Sequence, residues 1–145
     1  MSTTVTPKRV LELVQTDEGR HVLSAAVSRA CGWRPYTATR SGNRYWAKGD
    51  RSHPDAVHRG QSPPMHYPFY RPCDRDALLK LLRNYVMRLC RNAVLYLIWD
   101  NDRAWCVEVY DPSAAPHGCV AEVGHVHEGV ALALALAAVG LLTED

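Results

Sequence analysis

The sequence predicts an α+β domain spanning residues 1–145, with an antiparallel sheet of three to four strands sandwiched between helices (an α/β/α arrangement). Three observations carry that expectation. Apolar residues recur at helical spacing over residues 17–31 and again over 74–89. Two short runs rich in strand formers, residues 93–99 and 104–110, flank the turn-forming stretch Asp100-Asn101-Asp102-Arg103. An Ala/Leu-rich run follows near the end.

Taken in order, Thr6-Pro7 reads as an N-cap followed by proline at the first helical position, leading into Val10, Leu11, Leu13 and Val14. A longer helix starts near Thr16 or Asp17, with Val22, Leu23, Ala26, Val27 and Ala30 on one stripe and Gly32 as its stop. Gly19 weakens the join, so the two stretches make either one kinked helix or two. Residues 33–73 show little periodicity and hold six of the nine prolines, so they are expected to form a long basic, aromatic loop with at most a short strand around Tyr45-Trp46. Its aromatic residues argue that it is held down on the domain. Asp74 is placed as the cap of the next helix, whose core stripe is Ala77, Leu78, Leu81, Leu82, Tyr85, Val86 and Leu89. After the hairpin a third strand is expected over 118–123. The last helix, about 127–142, is apolar on every side and must be largely buried, in its own domain or against a second copy.

Composition narrows the class further. Hydrophobic residues make up 47% of the 145 and charged residues 22%, which excludes wholesale disorder. No basic start leads into an early apolar run, so no signal peptide is expected. The longest apolar stretch, residues 130–142, is shorter than the roughly 20 residues a membrane-crossing helix needs. Five cysteines at scattered spacing suit a reducing cytosol, where they act as small buried hydrophobes. The formal charge of +2 conceals two blocks: residues 33–91 hold twelve Lys/Arg against four Asp, and residues 92–145 hold Arg103 against eight acids. Such polarity steers an anionic partner towards one region unless the halves neutralise each other in the fold.

The stretch Leu23-Ser24-Ala25-Ala26-Val27-Ser28-Arg29-Ala30-Cys31-Gly32-Trp33 resembles the first helix of the phage ABA-sandwich domain family of small phage proteins, which ends in a Gly-Trp pair. Trp46, the central helix, the hairpin with Trp99 and Trp105, and the run 129–142 also fit that layout, although the loop here is longer and more basic. The resemblance covers about residues 20–142 and implies an α/β/α fold, a phage setting and hence the cytosol of a bacterial host. It implies no catalytic residues.

The residues themselves offer three chemistries. In the basic loop, Arg34, Tyr36, Arg40, Arg44, Tyr45, Trp46, Lys48, Arg51 and Arg59 mix guanidinium forks with aromatic faces. Arginine matches phosphate oxygens and an aromatic ring stacks on a base. The expected ligand site is therefore Arg40, Arg44, Lys48 and Arg51 on phosphates with Tyr45 and Trp46 stacking. Histidines and a thiol at His117, Cys119, His125 and His127 are possible metal ligands, but the spacing matches no zinc module and no metal is assigned. No nucleophile motif occurs, so no catalytic residue and no cofactor is expected. Duplex DNA is disfavoured, because no helix-turn-helix, finger or RNA-binding signature accompanies the modest pI near 8.3. The leading expectation is a non-catalytic homo-oligomer that sequesters a small nucleotide-like anion to counter host defence. The alternatives are an interaction module docking on an acidic host protein and, more weakly, a metal-dependent hydrolase.

Overall fold

A computed structural model describes residues 2–50, 52–69, 71–89, 93–99, 104–111 and 118–145. The elements run β1 (Thr3–Thr4), α1 (Pro7–Leu13), α2 (Asp17–Ala30), β2 (Trp33–Thr37), β3 (Arg44–Gly49), β4 (Pro54–Arg59), α3 (Pro72–Leu89), β5 (Val94–Trp99), β6 (Trp105–Tyr110), β7 (Cys119–His125), α4 (Glu128–Ala138) and β8 (Thr143–Glu144). The α+β class with antiparallel sheets is the one observed. No helix among the described residues is long and apolar enough to cross a membrane.

The N-terminal helices form where their caps place them. Thr6 Oγ1 accepts from Arg9 N at 3.2 Å and Thr16 Oγ1 from Gly19 N at 3.0 Å, so each first turn has a donor satisfied. The helices are separate, and Gly19 lies at their contact: a Cβ there would overlap the Leu13 carbonyl oxygen. The glycine is what lets α1 end against α2.

At the centre lies α4. Residues 129–137 are buried throughout, and the helix packs on β6 and β7, on α3 and on α1. Alternating Ala and Leu let it approach all of them closely. Its entry is equally tight: a Cβ on Gly129 would overlap the Pro68 carbonyl oxygen and lie 2.9 Å from Phe69 Cβ. The helix is shorter than its apolar run, because Gly140 (φ 76°) turns the chain, and Thr143 and Glu144 pair with Thr4 and Thr3.

The segment 33–73 departs most from expectation. It is not a long loop: β2, β3 and β4 form an antiparallel meander over most of its first 27 residues. The pairing is non-local, and its strands carry prolines and polar residues on both faces, so no clean alternation betrays it. Among the described residues, 60–69 is the segment's longest stretch outside helix and strand, and two α2 serines hold it. Ser28 Oγ accepts from Met65 N at 3.1 Å and donates to Met65 O at 3.3 Å, while Ser24 Oγ accepts from Tyr67 N at 2.9 Å. Met65 and Phe69 thereby enter the main core.

Helix α3 also starts earlier than expected. Asp74 is not its cap but sits inside the first turn, buried, accepting from Arg71 Nε at 2.8 Å and Nη2 at 3.0 Å. Pro72 is tolerated at this start because the first-turn N–H groups have no helical acceptor. Leu78, Leu82 and Val86 then bury one stripe. The third strand of the second sheet, β7, runs to His125, two residues beyond the expected end. The expected turn at 100–103 lies outside the described residues.

The layers follow from these contacts. Sheet β5-β6-β7 rests on α3 and α4; α1 links α4 to α2; and β2-β3-β4 rests on α2.

Replacing Gly129 with Ala is expected to lower unfolding free energy by about 1–3 kcal/mol, because backbone rather than a flexible side chain occupies the space. Chemical denaturation checks it, and an unchanged midpoint would refute the packing described. A second expectation concerns pH. His125 Nδ1 accepts from His127 N at 3.1 Å, and burial, then the neighbouring His127, lowers the His125 pKa from its ordinary 6.5. The folded state therefore resists a proton that the unfolded chain accepts, so stability falls as pH drops below the ordinary histidine value. Thermal melts between about pH 7.5 and about pH 5.5 should show this loss, and His125→Gln should flatten it. Equal slopes for the two proteins would contradict the assignment.

Candidate functional site

The meander has two faces, fixed by register. Tyr36 pairs with Tyr45, Pro35 with Trp46, Thr37 with Arg44, and on the other side Tyr45 with Arg59 and Trp46 with His58. Opposed residues share a face. One face carries Pro35 and Trp46 against α2, where Trp46 is only 6% exposed and the Arg29 guanidinium sits 5.9 Å from its ring centre. The other face looks outward and carries Tyr36, Tyr45, Val57 and Arg59, with the two tyrosine rings 5.6 Å apart. Arg34 shares this face by register, but its Nη1 donates to the carbonyls of Arg29 and Trp33, both at 2.8 Å. It thus closes the C-terminal end of α2.

The β2–β3 turn shapes the rim. Ala38 N donates to Asn43 O and Gly42 N to Ala38 O, both at 2.9 Å, with Gly42 at φ 70°. In front of it opens a cleft of about 650 Å³ lined by Asn43, Arg44, Tyr45, Val57, Arg59 and Gln61, among others. A second cleft of about 320 Å³ lies between Arg44, Trp46 and α2, and a third of about 390 Å³ includes Arg40 and Thr37. Tyr45 lines all three.

Charge separates these clefts. The second contains Glu144 and Asp145, which pair with Arg9 at 3.1 Å and Arg29 at 3.1 Å. Among the described residues none of Arg40, Arg44 and Arg59 is in an ion pair. The first and third clefts therefore carry arginine without an acid, whereas the second holds both signs.

Of the expected site residues, the structure brings Arg40, Arg44 and Tyr45 together around the hairpin. Trp46 faces inward and anchors the sheet. Lys48 pairs with Trp33 at the far end of β3, four residues or roughly 13 Å from Arg44. Arg51 lies outside the described residues. Tyr36 and Arg59 join the outward face instead. The signal for them was the alternation Tyr36/Tyr45 across a hairpin, legible only once 33–59 is read as strands.

Other chemistries find less. Burial pushes the Cys31 thiol up to about 11, with Lys48 opposing and Asp74 adding to the shift, so it is protonated at neutral pH. Among the described cysteines Cys31 and Cys106 are half-buried, whereas Cys73 and Cys119 are exposed rather than buried. Cys119 and His125 stand at opposite ends of β7, roughly 20 Å apart, and cannot share a metal. The rings of His125 and His127 lie 5.5 Å apart at a tilt of 34°, while His117 lies outside the described residues. Cys106, Glu108 and Glu122 gather instead on the outward face of β6 and β7, their donor atoms within 4.8 Å of one another. Glu108 also raises the Tyr110 phenol above its ordinary value. No protein-family model, curated protein or solved structure matches the chain.

Proposed function

We propose that the chain is a non-catalytic binding protein whose β2-β3-β4 face takes a nucleotide-like anion. One observation carries this reading: Tyr45, its ring 5.6 Å from that of Tyr36, lines an open cleft of about 650 Å³ with Arg44 and Arg59, neither in an ion pair among the described residues. That volume falls within the range of pockets that hold small organic ligands. Tyr45 supplies a ring for a base, and the guanidinium groups supply forked donors for phosphate oxygens. Arg40 extends the positive rim beyond the turn. Cys31, held as a neutral thiol, offers no nucleophile. Sequestering such a ligand within an infected bacterium, against host defence, is the biological form of the proposal, and it rests on the resemblance of residues 20–142 to small phage proteins.

With Trp46 inward and Tyr45 outward, substitutions on β3 divide into those that affect binding and those that affect folding. Arg44→Ala with Arg59→Ala is expected to weaken binding of a nucleoside diphosphate or cyclic dinucleotide probe by at least about tenfold, each lost charged hydrogen bond being worth about 1.5–3 kcal/mol. Tyr45→Ala should cost about 1–3 kcal/mol of affinity through lost stacking. Trp46→Ala should instead lower stability, by about 3–5 kcal/mol. Calorimetric titration and thermal melts separate the two effects. Affinity unchanged by the double arginine substitution would remove this face from the proposal. Native mass spectrometry of protein purified from a bacterial cytosol adds the direct test, since a retained nucleotide-sized mass identifies the ligand.

A further inference from the structure

Sheet edges are normally guarded, because an unpaired row of N–H and C=O groups invites another strand. The two three-stranded sheets have four edge strands: β2, β4, β5 and β7. Three carry guards. Strand β2 has Arg34 and Pro35; β4 has Pro54, Asp55 and Arg59; β7 has Glu122 and His125. Strand β5 is Val94-Leu95-Tyr96-Leu97-Ile98-Trp99, with no charge, no proline and no glycine. Among the described residues its only strand partner is β6.

Its side chains repeat the pattern. Leu95 and Leu97 point to the core, whereas Val94, Tyr96 and Ile98 are 40%, 46% and 44% exposed on the outward face. They form, with Tyr110 and Glu108, a shallow apolar groove of about 380 Å³.

We infer that β5 is a self-association edge, pairing antiparallel with β5 of a second copy to give a continuous six-stranded sheet. A two-fold axis keeps both faces consistent in only two central registers: Tyr96 opposite Tyr96 of the second copy, or Leu97 opposite Leu97. In the first, Val94 opposes Ile98 and Leu95 opposes Leu97, so every pair is apolar or aromatic. Charge selects this occupant. A neutral strand meets its own copy without repulsion, and the two Glu108 carboxylates end three strand spacings apart, roughly 14 Å. The same operation on β7 would set Glu122 against itself. The buried α4, which its apolar sequence offered as the contact between subunits, has no free face for the task.

The test is sedimentation velocity over a concentration series with the full chain, its fold verified by circular dichroism. Wild type is expected to sediment as a dimer. Tyr96→Lys and Tyr96→Glu should each weaken the dimer on the order of a hundredfold, through like charges placed opposite or diagonal to one another. An equal mixture of the two should restore a dimer, a rescue that misfolded variants would not give. Val57→Lys, on the other sheet, should leave association unchanged. A wild type that stays monomeric throughout, or a dimer as sensitive to Val57→Lys as to Tyr96→Lys, would overturn the inference.

Discussion

The fold depends on one helix with no solvent-facing side. From Gly129 to Ala137 every residue of α4 is buried, so each neighbouring element is positioned by what it must cover. Sheet β5-β6-β7 covers one side through β6 and β7, α3 a second and α1 a third. An amphipathic helix can lie on a domain with one stripe; this one has to be enclosed. The sequence meets that demand with small residues. Alternating alanine and leucine keep the helix thin enough for three partners to approach, and Gly129 admits the chain at Pro68 and Phe69 against its first turn.

That contact connects the core to the candidate site. Phe69 lies at the end of the irregular stretch 60–69, which Ser24 and Ser28 tie to α2 by hydrogen bonds to the backbone of Met65 and Tyr67. Buried hydroxyls of this kind stabilise only while their partners stay in place. They fix where β4 can lead, and so the position of the whole meander on α2. The Arg29 and Trp46 contact then sets which face of β3 is inward. With Trp46 committed to the anchor, alternation turns Tyr45 outward beside Tyr36. The candidate face is thus a consequence of core geometry several elements away.

How much of this was legible in the sequence follows from the range of the interactions concerned. Caps such as Thr6 and Thr16 act within three residues, and the helical stripes repeat within one element, so both could be read directly. The hairpin β5–β6 was legible because its strand formers are strong and flank the turn-forming sequence Asp100-Asn101-Asp102-Arg103. The meander was not. Strand β2 contains Arg34 and Pro35, and β4 reads Pro-Asp-Ala-Val-His-Arg, so neither shows apolar alternation. Their pairing depends on α2 covering one face, which no local pattern records. The same blindness made Trp46 look like a stacking surface and left Tyr36 and Arg59 outside the expected site. Thr3-Thr4 and Thr143-Glu144 pair across nearly the whole chain, and nothing local marks them.

The two charge blocks gain meaning from this layering. Had the basic and acidic halves met face to face, they would have neutralised each other. The β2-β3-β4 meander is held off the acidic sheet, resting on α2 while that sheet rests on α3 and α4, although α3, which carries part of the basic block, packs on β5 itself. A single ion pair, Arg75 with Glu128 at 3.7 Å, joins the blocks among the described residues. Within the meander, Asp50 and Asp55 lie at the Gly49 end of β3, away from Arg44 at the other end. The acids that line a cleft with Arg44 are Glu144 and Asp145 in the second cleft, and these already pair with Arg9 and Arg29. Exposed arginines cost little in water, and Arg44 and Arg59 around one cleft, with Arg40 on the neighbouring one, set up a local positive field.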